Sequence, residues 1–275
     1  MVTGTPAYLP ADIAASRDIV VVPLEVIIDR RAYVEGVEIG PGEVAEALER
    51  GDAVSTSRPS PRRLLDAYES AAAMGASVVI SVHLSGALSG TVDAARLAAQ
   101  DAPVPVHVVD SRSLAMGLGF AALTAADARD RGLFVDEIVD ITTRRAAGAD
   151  VLFYVDTLEH LRRGGRIGAA SAMVGTAFAI KPLLELRDGS VTALDKVRTT
   201  SRALARLGDI ACSRAAERPV DVAVHHLANP KRARGVADSL SERLPSAGDI
   251  PVMEVGAVIG AHAGPGVVGV VISPR

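Results

Sequence analysis

An α/β protein in two parts is what this sequence predicts, on three observations. Short β-branched runs alternate with amphipathic helical stretches through roughly the first 150 residues, the signature of a parallel sheet with right-handed crossovers. Gly148-Ala-Asp150 then interrupts the alternation as a hinge. Beyond it, Asp188-Gly189 stands between two apolar runs as a hairpin turn, which a purely parallel sheet does not use. The expected division is 1–148 and 149–275.

Taken in order, residues 1–10 hold the end of a first strand and a turn, and 12–16 a short helix. Residues 18–28 read as one strand interrupted by Pro23, which removes a ladder donor and suits an edge or a bend. Pro41 opens a helix over 41–50. Residues 55–61 read as a loop whose closing Ser60-Pro61 starts a helix over 62–74. The uncharged run 76–82 has the pattern of a strand buried on both faces, and 92–100 carries apolar residues at helical spacing. Between them lie Ser85, Ser89 and Thr91 with Gly86 and Gly90, a turn that places hydroxyls and unpaired N–H groups at a helix N-terminus. A strand over 104–109 and helices over 114–131 and 135–146 complete the first part. The second part reads as strand 151–155, helix 158–163 ended by Gly164-Gly165, and a small apolar helix over 169–178. There follow a hairpin of 183–186 with 191–197, helix 201–217, strand 221–226, helix 230–244 and strands 252–255 and 267–272.

Composition narrows the function. With 49% hydrophobic residues and a mean hydropathy of +0.28, the chain needs large buried surface or an apolar cavity. No apolar run approaches the ~20 residues that span a bilayer, and no charged-then-apolar leader opens the chain, so a cytosolic protein is expected. A net charge of −4, no tryptophan and 3% aromatics disfavour nucleic-acid binding. Cys212 is the single cysteine, which excludes an internal disulfide or a cysteine metal site.

In open parallel sheets ligands gather at strand carboxyl ends, in the loops that lead into helices, and Thr56, Ser89 and Asp110 are expected there. Thr56, Ser57, Ser85, Ser89 and Thr91 form a candidate hydroxyl group, with helix capping as the plain alternative for Ser89. Five histidines read as packed or solvated. His262 differs, because Gly260-Ala-His-Ala-Gly-Pro-Gly266 reads as a glycine-rich loop where no core packing demands a ring. Two basic clusters, Arg162-Arg-Gly-Gly-Arg-Ile167 and Lys196-Val-Arg-Thr-Thr-Ser-Arg202, read as solvated faces or as phosphate contacts. A Ser89–His262–Asp110 hydrolase lacks the G-x-S-x-G elbow, and no Walker A loop, dinucleotide fingerprint or H-E-x-x-H metal spacing is present.

A set of motifs in fixed order goes further. Val2-Thr with Leu9-Pro10, Val22-Pro-Leu24, Thr56-Ser57 with Pro59-Ser60, Leu84-Ser-Gly and Leu88-Ser-Gly-Thr91 run through the first part. Asp110-Ser111, Met116-Gly-Leu-Gly119, Arg163-Gly-Gly-Arg-Ile167, Ile180-Lys-Pro182, Lys196-Val-Arg-Thr199 and His262 with Gly264-Pro-Gly266 follow. Together they resemble the DegV family of bacterial fatty-acid-binding proteins, almost end to end. The resemblance implies an N-terminal parallel α/β/α sandwich, a C-terminal α/β domain with a mixed sheet, and a buried long-chain fatty acid. It implies a carboxylate held by Thr56, Ser57 and Ser89 with His262, and Arg166 and Arg198 near the head-group opening. It also implies a carrier without catalytic residues, metal or cofactor, which presents its lipid to a separate ATP-dependent fatty acid kinase without inserting into the membrane. One departure stands out: Val2-Thr-Gly-Thr-Pro6 replaces the family's V-T-D-S, with Gly4 at the acidic position and Thr5 at the serine.

Physical chemistry agrees with the implication. Burying a C16 chain gains roughly 0.8 kcal/mol per methylene, offset by the entropy of association. A carboxylate enters an apolar interior only if donors meet it. The alternatives are an acyl hydrolase or transferase built on Ser89, and a lipid sensor without a kinase. Apolar residues around 116–120 and 174–178 are expected to set the depth of the cavity.

Overall fold

The structure, a computed structural model, describes residues 1–173, 180–216 and 218–275. It forms two compact units. One contains Met1–Glu25 and Ser57–Gly148, the other Val26–Thr56 and Ala149–Arg275. The sequence division is therefore corrected at one place: residues 26–56 pack with the second unit, not with the chain on either side of them.

The first unit is built on four parallel strands in the order Val20–Val22, Val2–Gly4, Val79–His83 and Val106–Asp110. Every residue of Val79–His83 is buried, as an uncharged central strand requires. Side chains alternate across it. Val79 packs with Leu64, Ala67 and Tyr68 of the helix Pro61–Ala73 and with Ala94, Ala95 and Ala98 of Thr91–Ala99. On the same face the Tyr68 hydroxyl meets Ser81 Oγ at 2.9 Å and Ser81 meets His83 Nε2 at 2.7 Å, a buried polar chain that leaves only His83 Nδ1 without a partner among the described residues. The helix Met116–Asp130 packs on Val79–His83 and Val135–Ala147 on Val106–Asp110.

The second unit carries a six-stranded mixed sheet in the order Ser190–Val197, Lys181–Arg187, Asp150–Tyr154, Val268–Pro274, Val220–His226 and Val252–Glu254. Only its last pair is parallel. The expected hairpin is present, with Asp188 at φ 51° and Gly189 at φ 81°, the doubly left-handed turn that matches strand twist. Leu152, Leu183, Val222 and Val270 of the sheet pack against Leu207 of the helix Thr200–Ala215 and Leu240 of Pro230–Arg243. Glu185, nearly buried, is held by Arg214 at 2.9 Å and Arg187 at 2.5 Å, while Arg214 also reaches Asp150 at 2.8 Å.

Two further expectations change. Residues 18–28 are two strands, Val20–Val22 and Glu25–Ile28, in different sheets, separated by Pro23 and Leu24, where the proline lacks a ladder donor. The second of them belongs to a three-stranded sheet, ordered Arg31–Val34, Glu25–Ile28 and Val54–Ser57, whose first strand had no sequence reading and whose last falls on the loop read over 55–61. The expected helix over 169–178 begins as a 3-10 helix, Gly168–Met173, and its remainder, with the proposed depth-setting residues 174–178, lies outside the described residues.

Burial fixes a pH response. His83 and His225 are 0% and 3% exposed, and burial depresses each imidazole to about 4, with the neighbouring His226 adding to the effect on His225. An unfolded histidine takes its proton near 6.5, so between about 6.5 and 4 the unfolded chain binds more protons than the folded one. Stability should fall across that window by roughly 1.4 kcal/mol per pH unit for each histidine. Urea midpoints measured from pH 7.5 to 4.5 test this, and His83→Gln should show a shallower fall than the wild type.

Candidate functional site

His262 sits in the second unit, and not in a loop. It occupies the last turn of a seven-residue helix, Ala257–Ala263, which Gly264 ends at φ 78°. The glycines around it serve close packing. A side chain at Gly264 would strike the His160 ring, and one at Gly266 the Asp156 carboxylate. Composition alone reads such a stretch as loop; the periodic Ala257, Val258, Ala261 burial is the signal that a helix runs through it.

Thr56 is likewise not in a loop. It lies in the strand Val54–Ser57, and its Oγ1 stands 2.8 Å from His262 Nε2. The pair joins positions 206 residues apart in sequence. Behind the ring is Gly164, the C-cap of the helix Glu159–Arg163, whose missing Cβ would occupy the place of His262 Nδ1. That Nδ1 is buried and has no hydrogen-bond partner among the described residues. Arg166 is half-buried and turns its guanidinium onto the Gly164 carbonyl at 2.6 Å. Burial first, and then the Arg166 charge, hold the His262 imidazole down at about 4. Arg198 is exposed, directly after the strand Ser190–Val197. A cleft of about 450 Å³ lies next to the pair, with Ser55, Gly164 and Ala261 in its wall and the cations Arg30 and Arg163 beside them.

Ser57 and Ser89 belong to the first unit. Ser57 donates to the Arg58 carbonyl at 3.2 Å, and the Arg58 guanidinium lies where a side chain on Gly90 would be. Ser89 meets the Thr91 hydroxyl at 2.8 Å. It does not cap the helix Thr91–Ala99, whose N-cap is Gly90 with no side-chain bond. The plain alternative for Ser89 is thereby removed. Asp110, expected in the loop after the strand, is instead the last residue of the strand Val106–Asp110, and its carboxylate accepts from the N–H groups of Gly86 and Arg112, so it braces the Ser85–Gly86 turn. With Ser89 bonded to Thr91 and His83 to Ser81, no serine–histidine pair of the hydrolase kind involves Ser89 among the described residues of this unit.

Along its whole length, residues 1–275, the sequence matches the family described as "Uncharacterised protein, DegV family". This chain belongs to the DegV family. A DegV domain-containing protein of Streptomyces coelicolor is 53% identical over 275 residues, 100% of this chain and 98% of that one. Among solved structures, a fatty-acid-binding DegV-family protein from Thermus thermophilus superposes with a TM-score of 0.93 at 33% identity, covering 100% of this chain and 98% of the other. DegV from Bacillus subtilis, a fatty acid binding protein, gives 0.91 at 29% identity with the same coverage. Among the described residues no helix is long and apolar enough to cross a membrane.

The packing of Gly164 on the imidazole yields a paired prediction. Gly164 has ordinary helical φ, −74°, so alanine fits its backbone and the whole penalty is steric. Gly164→Ala should expel the ring from Thr56 and destabilise the protein by about 1–3 kcal/mol. Gly165, at φ 70° with open space around its Cβ position, is the control. Gly165→Ala should cost about 1 kcal/mol through backbone strain and leave the His262 imidazole resonances in place.

Proposed function

We propose that this protein binds a long-chain fatty acid and holds the carboxylate through donors that include Thr56, Ser57 and Ser89, with His262 behind Thr56. It then presents the carboxyl group, in the cytoplasm, to a separate ATP-dependent kinase. There a carboxylate oxygen attacks the terminal phosphorus of ATP, a new P–O bond forms an acyl phosphate, and ADP leaves. The carrier itself supplies no nucleophile and needs no metal or cofactor.

The observation that carries the reading is the Thr56–His262 pair. A neutral imidazole has one N–H. If Nδ1 held it, a buried donor would be left without an acceptor, at a cost of about 1–3 kcal/mol, beside the Arg166 charge. With the proton on Nε2, the imidazole donates to Thr56 Oγ1, and Nδ1 keeps a lone pair, the form that the nearby Arg166 charge favours over an N–H. The Thr56 hydroxyl proton is then released to point at an anion. A donor chain aimed outward is what a buried carboxylate requires. The two solved relatives that bind fatty acid support the same ligand class at 33% and 29% identity over the whole chain. The assignment of Ser57 and Ser89 rests on the family resemblance, with Ser89 bonded to the Thr91 hydroxyl and not spent as a helix cap.

Extraction of the purified protein with organic solvent, followed by mass spectrometry, should recover one fatty acid per chain. Turnover of an acyl ester with no partner present would overturn the carrier reading. A hydrogen bond to a charged group contributes about 1.5–3 kcal/mol, so Ser89→Ala and Thr56→Val should each weaken binding by roughly one to two decades. The methyl ester should bind weakly to wild type and lose little more in either variant.

Arg166 and Arg198 are assigned to the meeting with kinase or phosphate. Arg166 has a second, measurable role, because its charge opposes protonation of His262. Arg166→Gln should raise the imidazole pKa from about 4 toward the ordinary 6.5, read by NMR titration. In Arg166→Glu, kinase-dependent phosphorylation should fall more than lipid occupancy does.

A further inference from the structure

The geometry points to Glu35 as a positioning residue for His262, acting through the start of the helix on which the imidazole sits. The inference rests on the head-group reading above, since it explains how that reading's histidine is aimed.

Glu35 is a carboxylate with only 4% of its surface exposed. Its Oε1 accepts the backbone N–H of Val258 at 2.8 Å. Val258 lies in the first turn of Ala257–Ala263, where N–H groups have no partner within the helix. The residue at the N-cap, Gly256, has no side chain and cannot supply the cap itself. Glu35 supplies it from the far end of the sequence, and its negative charge meets the positive end of the helix. A helix of seven residues has little stability of its own, so its orientation depends on such outside contacts.

The turn that carries Glu35 is closed by its own hydrogen bonds. The tight turn after the strand Arg31–Val34 is closed by Gly36 N–H to the Ile39 carbonyl and by Glu38 N–H to the Val34 carbonyl, both at 2.9 Å. The Glu38 side chain returns to accept the Val34 N–H at 2.8 Å. From this turn the chain runs into the helix Pro41–Arg50, which packs on Ala257–Ala263, and then into the strand that carries Thr56. One segment, 35–56, therefore grips the His262 helix at both ends: Glu35 at the first turn and Thr56 at the imidazole. Rotation or slippage of so short a helix would carry Nε2 out of reach of Thr56.

The test compares wild type, Glu35→Ala, Glu35→Gln, His262→Ala and the Glu35→Ala/His262→Ala double variant, all delipidated. Palmitate affinity, long-range proton–nitrogen NMR of the imidazoles and the thermal midpoint are measured for each. Glu35→Ala should weaken palmitate binding about ten-fold and move the His262 signal from the Nε2–H tautomer toward a mixture. Glu35→Gln, which retains an acceptor oxygen, should restore most of both. In the His262→Ala background, removing Glu35 should change affinity by less than about two-fold, although the thermal midpoint still falls. A folded Glu35→Ala with wild-type affinity and an unchanged His262 signal would overturn the inference. So would an equal loss of affinity in both backgrounds, which would make Glu35 a structural cap alone. If Glu35→Ala does not fold, Glu35→Asp, which withdraws the carboxylate by one methylene, carries the same comparison. Should wild type bind no palmitate, the head-group reading fails, while the tautomer shift in the lipid-free protein still decides the role of Glu35.

Discussion

The hydrogen bond between Thr56 and His262 is the contact on which the arrangement of the second unit depends. It forces a ring into a confined, largely buried place and forces that ring to stay neutral, since burial and Arg166 both oppose its protonation. Around that requirement the neighbouring sequence becomes intelligible. Position 164 must be glycine because the ring fills the space of its Cβ, and position 264 must be glycine because His160 fills the next one. Gly164, Gly264 and Gly266 are thus packing devices, while Gly165, with open space at its Cβ position, serves the turn.

The same contact explains why residues 26–56 leave the unit that precedes and follows them in the chain. Their last strand carries Thr56, their helix packs on that of His262, and Glu35 caps the latter. Each of these interactions joins positions more than two hundred residues apart, and together they outweigh continuity along the chain. The unit boundary falls between Thr56 and Ser57, two consecutive hydroxyls.

The parallel part was legible because its signals are local and periodic. The run at Val79–His83 is short, uncharged and β-branched, as a central strand is, and in the mixed sheet Asp188-Gly189 marks a hairpin by its backbone preference. The candidate site residues Thr56 and His262 were legible as residue types, and their elements were not. A strand of four residues, Val-Ser-Thr-Ser, has little apolar alternation to show, and a helix rich in alanine and glycine looks like a turn. What identifies both is a partner distant in sequence, which no local window contains. Glu35 is the extreme case: an acidic residue beside a glycine reads as a solvated turn, and only the N–H of Val258 gives it a purpose. Pro23 shows the opposite failure, since the interruption was visible in sequence while the change of sheet across it was not.

The acidity of His262 bears on what kind of chemistry the second unit can support. A general base works best with a pKa near the pH at which it operates. An imidazole held at about 4 lies some three units below neutrality and is a poor acceptor for the proton of a hydroxyl nucleophile. The same depression makes it a dependable donor, because it is neutral and keeps a single N–H throughout the physiological range. Thr56, receiving that N–H, has its own proton left to give. On the proposed function, such an arrangement stabilises an anion without activating a nucleophile against it, which is the property a carrier needs if the carboxylate is to leave as it arrived and react elsewhere.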